Sequence, residues 1–398
     1  MSTDEIVIVA AARTPFGRFD GTLRDVGIPE LGSAAVTEAL RRAGVATGDI
    51  DEVAIGVNFP GSERSLARQI QLRAGIPEDR NAYTVDRACC SSLAAVSLVR
   101  RGLRLGETRF GLAGGAENLG RVPYFLDRLR WGNRLGDVTL IDQLVISCPY
   151  TRVPRAVQAA AEAAEFGVGR TEQDEWALRS HERYGKALAR ADLDDELFPV
   201  SFTVGSSQVR ADADEAYRPG VTSDKLAALP DVYGSGSVTA GNAPGLSAGA
   251  SAVVLSTAAV AAERGLDTWA TVVSMARASG PPRKIASIPA VAARHALAAA
   301  DLELDDVDLI EINEAFAAVP LVTTLALADG DRSRAAKLRE ITNVNGGAIA
   351  IGHPTGATAA RQLMTATLEL RRRGGGTGLI TICGGIGEAE SAVIRVAG

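Results

Sequence analysis

The strongest constraint on this chain is that it repeats itself at long range. The stretches "ALRRAGVATGDIDEVAIGVN" (Ala39 to Asn58) and "ALAAADLELDDVDLIEINEA" (Ala296 to Ala315) share one layout: a helix, an acid-rich turn, then a β-branched run with Asn at its end. A second pair continues the echo. "VDRACCSSLAAVSLVRRGLRLGETRFGLAGGAEN" and "VNGGAIAIGHPTGATAARQLMTATLELRRRGGGTGLITICGGIGE" both run loop, helix, basic helix end, apolar strand and Gly-Gly turn, the latter with an insertion before its helix. In each, an apolar stretch of helical period is closed by Arg and Gly, a helix stop that precedes a short strand. Solenoid repeats are shorter and more numerous. A repeat this long predicts two similar α/β halves related by a pseudo-twofold axis.

At 398 residues the chain exceeds one small core and divides into two or three compact units. Between the halves, roughly Asp127 to Asp231 has a different texture. "TEQDEWALRSHERYGKALAR" reads as an amphipathic helix with Thr171 as N-cap and acids in its first turn, and "FPVSFTV" reads as a strand. This is an insertion on the first half, and loops carried on a rigid scaffold are where substrate contacts gather.

Several function classes drop out. The net charge is −6, and the basic residues are dispersed apart from short clusters such as Arg371 to Arg373, which reads as a solvated helix end, so nucleic acid is not an expected partner. The four cysteines, Cys89, Cys90, Cys148 and Cys383, are too scattered for a disulfide framework. With no CxxC pair and only His181, His295 and His353, no metal site is expected. "IVIVAAA" follows Asp4 and Glu5 and reads as a buried strand, not a signal peptide. No run approaches the roughly twenty apolar residues of a membrane span, and "RVAG" is not a peroxisomal address. A cytoplasmic location without membrane contact is the expectation.

Four positions carry chemistry. Cys89 lies just before a helix that begins near Ser91 or Ser92, where the dipole and free N–H groups favour thiolate. The opposing reading is an inert buried cysteine. In the second copy, the corresponding place holds His353 before Pro354, a favoured first-turn residue, so imidazole and thiol would face each other. Cys383 ends the strand "GLITIC" and enters glycines whose N–H groups can approach an oxyanion. Asn313 ends "VDLIEIN", at the sheet edge where α/β proteins place ligand loops, although strand-end Asn is often only a turn residue.

With these residues assembled, the chain resembles the thiolase family over nearly its whole length. "VDRACCSSLAA" is similar to the family's nucleophile loop, "NEAFA" to its asparagine motif and "NVNGGAIAIGHPTGATAAR" to its histidine motif; "AARTPFGRFDGTL" and "VTAGNAPGLSAGASAVVL" also fit. The resemblance implies an α/β, thiolase-like fold: two similar βαβαβαββ halves forming a five-layered α-β-α-β-α core with an inserted, mostly helical loop domain. The first half would be residues 1–120 and 232–260, the insertion 121–231, and the second half 261–398. It further implies that Cys89 accepts the acyl group, that His353 activates it and helps to bind the thioester oxyanion, and that Asn313 orients a water there. Cys383 would move the α-proton, and the N–H groups of Cys89 and of Gly384 or Gly385 would bind the other oxyanion. Ala240, Pro244, Ala315 and Phe316 would contact substrate. The implied substrates are acyl-CoA and acetyl-CoA, with no cofactor beyond coenzyme A thioesters themselves. The implied assembly is a homodimer or homotetramer, with "RVPYFLDRLRWGNRLGD" near a tetramer-forming loop.

The chain also departs from the family's pattern. Cys90 stands where glycine is usual. "CGGIG" is short, and an alignment on its glycines would make Thr381 the base in place of Cys383. Pro244 replaces a serine that usually contacts the pantetheine arm, and "SAG" stands for "NDG". Pro154 and Arg155 occupy the place of a His-Met pair, with Arg155 expected at the surface. A ketosynthase-type condensing enzyme and a non-catalytic homologue are the competing readings.

Overall fold

The computed structural model describes residues 5–145 and 148–398; Asp4, read above as part of the acidic lead-in to the first strand, lies outside them. The first half runs β1 (Ile6–Arg13), α1 (Ile28–Ala43), β2 (Glu52–Gly56), α2 (Leu66–Arg73), β3 (Asn81–Val85), α3 (Ser91–Leu105) and β4 (Phe110–Asn118). The insertion follows, with helices α4 (Arg155–Glu165) and α5 (Arg170–Ala189), before β5 (Ser247–Thr257) closes the half. The second half repeats the order as β6 (Ala270–Ser279), α6 (Ile288–Ala298), β7 (Leu309–Ile312), α7 (Ala318–Leu327), α8 (Arg332–Glu340), α9 (Thr358–Arg372), β8 (Gly376–Cys383) and β9 (Glu388–Val396).

The strand orders are β3-β2-β4-β5-β1 and β7-β8-β9-β6, so the halves have matching topology. Their sheets meet where β1 pairs antiparallel with β6 at Val7↔Thr271 and Ile8↔Ala270. One position of the duplication is reduced: the counterpart of β3 is a single parallel bridge from Thr342 to Ile310.

The layering follows from strand periodicity. Side chains alternate across a strand, so β1 sends Val7 and Val9 outward to α1 and α2, and Ile6 and Ile8 inward to α3 and α9. In β8, Leu379 packs outward with α6 and α7, while Ile380 and Ile382 face the central helices. Because both faces of each sheet are covered, the strands read as near-continuous apolar runs. The result is five layers, with α3 and α9 in the middle. Helix α9 is buried along almost its whole length, so truncating Leu363 or Met364 to Ala would cost about 2–5 kcal/mol.

The insertion is less helical than its composition implies. Among the described residues from Leu119 to Val153 there are only short turns of 3-10 helix and a two-residue strand pair, Tyr124–Phe125 with Ile141–Asp142. The segment "FPVSFTV" does form a strand, Val200–Val204, in a hairpin with Ser207–Ala211. Helix α5 is capped two residues earlier than expected: Gly169 is the N-cap, and the Glu172 carboxylate accepts its N–H at 3.1 Å. The insertion is tied to β1 by a buried ion network, Arg13 with Glu196 at 3.0 Å and with Asp214 at 2.7 Å. Removing one partner of such a network costs about 3–5 kcal/mol, because the other charge stays buried.

Candidate active site

Cys89 sits on a tight loop between β3 and α3. Ala88 precedes it at φ 49°, a left-handed conformation that side chains resist and that surrounding bonds must hold. Ser91 supplies them: its hydroxyl accepts the Arg87 N–H at 2.9 Å and donates to the Ala88 carbonyl at 2.5 Å. Arg87 in turn reaches across to Glu390 on β9 at 2.8 Å. Cys90, the second thiol of the pair, is fully buried and donates to the Ile382 carbonyl of β8 at 3.4 Å. It is a packing residue.

The histidine loop is held from the opposite half. Glu117, at the end of β4, accepts from Thr355 Oγ1 at 2.8 Å, from the Gly356 N–H at 3.0 Å, and from the N–H groups of Asn58 and Phe59 at 3.0 Å each. The approach is so close that a Cβ on Gly115 would lie 1.8 Å from the Gly356 carbonyl oxygen. Ser247 accepts the His353 N–H at 3.0 Å. Pro354 does not open the helix as expected; it lies in a turn, and α9 starts at Thr358.

Thr358 determines the imidazole's tautomer. Its hydroxyl donates its only hydrogen to the Pro354 carbonyl at 3.0 Å, so at 2.7 Å from His353 Nδ1 it accepts an Nδ1–H. The lone pair is then on Nε2, 3.4 Å from Asn313 Nδ2. Burial, with Arg361 adding to it, drives the imidazole down to about 3, so it rests neutral. Asn313 itself is fully buried behind His353, and its Oδ1 has no hydrogen-bond partner among the described residues.

Cys89, His353 and Cys383 converge on one cavity of about 500 Å³. Gly384 and Gly385 line it too, as do Ala240, Pro244, Ala315 and Phe316. The glycine pair is not symmetric in function: the Gly384 N–H donates to the Glu388 carbonyl at 2.7 Å, closing the β8–β9 hairpin, while Gly385 turns out at φ 78°. Thr381 is one rung deeper in β8, off the cavity. Its hydroxyl donates to the Pro289 carbonyl at 3.0 Å and accepts from Ser391 at 2.6 Å, which leaves Cys383 as the thiol at the open strand end.

Two expectations require correction. The helix end does not make Cys89 a resting thiolate: burial pushes the thiol up to about 11, against a downward pull from Arg155. Burial likewise pushes Cys383 up to about 12, followed by repulsion from Cys89, again with Arg155 pulling down. Arg155 is also not a surface residue. It opens α4 on the cavity wall, and its guanidinium donates to the Gly385 carbonyl. Glu117 and Thr358 were missed outright; Glu117 shows locally only as an acid beside Asn118 at a strand end. Among the described residues, no helix is long and apolar enough to cross a membrane, and no group of metal-ligating side chains is gathered.

A thiol and an imidazole brought from opposite halves of a duplicated scaffold, with a second thiol on the same cavity, are the groups that acyl transfer through cysteine would require. The chain belongs to the thiolase family: the thiolase N-terminal domain matches residues 6–259 and the thiolase C-terminal domain residues 266–396. An acetyl-CoA acetyltransferase of Syntrophomonas wolfei is 38% identical, covering 97% of this chain and 98% of the relative. The crystal structure of the Bacillus anthracis acetyl-CoA acetyltransferase superposes with TM-score 0.94 at 36% identity, covering 98% of each chain. That of human mitochondrial 3-ketoacyl-CoA thiolase does so with TM-score 0.93 at 33% identity, covering 100% of each.

Proposed function

We propose that the protein catalyses reversible Claisen condensation and thiolytic cleavage, acyl-CoA and acetyl-CoA giving 3-oxoacyl-CoA and CoA, through an acyl-Cys89 intermediate. The observation that carries this reading is the convergence of Cys89, His353 and Cys383, from three separate elements, on one cavity. The names of the relatives supply the substrate class, and neither the ketosynthase nor the non-catalytic reading is favoured by them.

Proton bookkeeping follows from the resting states. Cys89 attacks the thioester carbonyl and passes its proton to the Nε2 lone pair of His353. Cys383 gives its proton to the departing CoA thiolate and is left as the base. It then takes the α-proton of acetyl-CoA, and the carbanion attacks the acyl carbon. Cys89 leaves as thiolate and recovers its proton from His353, so every group ends as it began. Pre-set donors at a developing oxyanion are each worth orders of magnitude in rate. For one oxyanion these are the N–H groups of Cys89 and Gly385, Gly384 being engaged in the hairpin. For the other they are His353 and a water on Asn313, whose buried Oδ1 is free to accept.

The reading calls for no metal or redox cofactor, and coenzyme A enters as substrate. A cytoplasmic homodimer or homotetramer is part of the proposal, supported by the exposed apolar side chains of the insertion, Trp131 and Leu135 among them. Intact-mass measurement after incubation with acetyl-CoA should show an acetyl adduct that vanishes in Cys89→Ala. An adduct that persists in the variant would refute the assignment.

A further inference from the structure

The cavity has an unbalanced charge. Two guanidinium groups line it, Arg155 and Arg218, and among the described residues no Asp or Glu does. The two cations occupy different regions. Arg155 acts on both Cys89 and Cys383, whereas Arg218 acts on His181 beneath the insertion, and its own N–H donates to His181 Nδ1 at 3.3 Å. Arg155 is therefore the cation at the reacting end. Its guanidinium packs directly against Gly385 and leaves no room there for a Cβ. Only the Gly385 carbonyl accepts from it, and among the described residues it has no carboxylate partner.

A guanidinium carries five N–H donors in a planar fork matched to a carboxylate. A half-buried cation held without a counter-ion beside a catalytic thiol is costly unless the ligand supplies one. An uncharged acyl chain leaves that cost in place, and a carboxylate removes it. Among the side chains that line the same cavity, Ala156, Ile285 and Phe316 are apolar and offer a neutral polar acyl group no hydrogen bond.

We propose that Arg155 is a specificity-determining residue and that the acyl group this site prefers bears a terminal carboxylate, as in the CoA monothioester of a dicarboxylic acid. This rests on the thiolase reading and names its substrate class. In acylation the Cys89 sulfur forms the new thioester bond as the bond to CoA breaks, and the CoA sulfur takes the proton, so CoA thiol is released. The distal carboxylate takes no part in bond making and stays ionised against Arg155. After condensation with acetyl-CoA, the product is a 3-oxoacyl-CoA that keeps that carboxylate. The reaction that consumes it in a sequence must accept an anionic chain end.

The test is a panel of acyl-CoAs on the full-length enzyme: succinyl-, glutaryl- and adipoyl-CoA against acetyl-, butyryl- and hexanoyl-CoA. It reads both the Cys89 adduct by intact mass and kcat/KM for condensation with acetyl-CoA. At least one dicarboxylic thioester is expected to exceed its uncharged counterpart by about 10- to 100-fold, the worth of one hydrogen-bonded charge. In Arg155→Gln that ratio should collapse toward one or invert, and Arg155→Lys should recover part of it, with KM moving more than kcat. Uncharged thioesters acylating Cys89 as well as, or better than, every dicarboxylic one in the wild-type enzyme would overturn the inference and leave the thiolase reading standing. No adduct from any thioester would overturn both. A dicarboxylic preference that survives in Arg155→Gln would remove Arg155 from the role.

Discussion

The Thr358 hydroxyl allows a quantitative test of how the site sets its base. Thr358→Val keeps the shape of the side chain, which is 0% exposed, and deletes both of its hydrogen bonds. The Nδ1–H of His353 loses the acceptor it has at 2.7 Å, while the Pro354 carbonyl loses one donor, at 3.0 Å, and keeps the N–H groups of Ala357 and Thr358. A buried donor left unsatisfied costs about 1–3 kcal/mol. The imidazole escapes this by moving its proton to Nε2, where Asn313 Oδ1, which has no partner among the described residues, accepts after a turn of the amide. That tautomer has no lone pair on Nε2 to take the Cys89 proton. If the reactive tautomer then lies about 1–3 kcal/mol higher, acylation slows about 5- to 150-fold. Rapid-quench intact-mass measurement of Cys89 acetylation gives this rate directly, and thermal unfolding reports the accompanying stability loss. Thr358→Ser restores the hydroxyl and should restore most of the rate. A wild-type rate in Thr358→Val, or an equal defect in Thr358→Ser, would refute the tautomer assignment.

Other consequences follow from the same geometry. Cys383→Ser should still form the Cys89 adduct but lose deuterium exchange at the acetyl methyl of acetyl-CoA by about 10²- to 10⁴-fold, the usual worth of a positioned base; normal exchange would move that role elsewhere. His353 is held neutral down to about 3 against a usual 6.5, so the unfolded chain binds a proton in that interval that the native one does not. Its contribution is complete above pH 6.5 and is lost as pH falls toward 3. The stability difference between wild type and His353→Gln should therefore shrink by about 1.4 kcal/mol per pH unit on acidification. Parallel urea-unfolding curves for the two proteins across that range would contradict it. Gly115→Ala places a Cβ 1.8 Å from the Gly356 oxygen, a backbone atom that cannot swing away. The histidine loop must shift, costing about 1–3 kcal/mol, and an unchanged melting temperature with unchanged acylation would mean that the loop is looser than the structure has it.

Much of the site was legible because its chemistry is tied to local signals. Cys89, Cys383 and Asn313 lie at strand or helix ends, and the histidine loop holds the place of the cysteine loop in the second copy. Helix boundaries were less legible: Gly169, not Thr171, caps α5, and α9 begins at Thr358, four residues beyond Pro354. Such ends depend on which side chains reach back to the backbone, and propensity sees only the residue type.

By itself, the sequence determined the duplication, and with it the layered α/β architecture, because strand and helix periods are set by nearest neighbours along the chain. It also determined which residue types were on hand for acyl transfer. Only the tertiary structure decided between adjacent candidates. Cys90 turns inward onto Ile382 and Thr381 is spent on Pro289 and Ser391, so Cys89 and Cys383 are left at the cavity. Burial, a property of the whole fold, overrode the helix-end field that favours a thiolate at Cys89. Arg155 reaches Gly385 across 230 residues of chain, and no pattern within α4 could show which of its faces would meet the second half. Charge and solvent exposure at the site are sums over distant neighbours, and those neighbours exist only once the two halves have closed on each other.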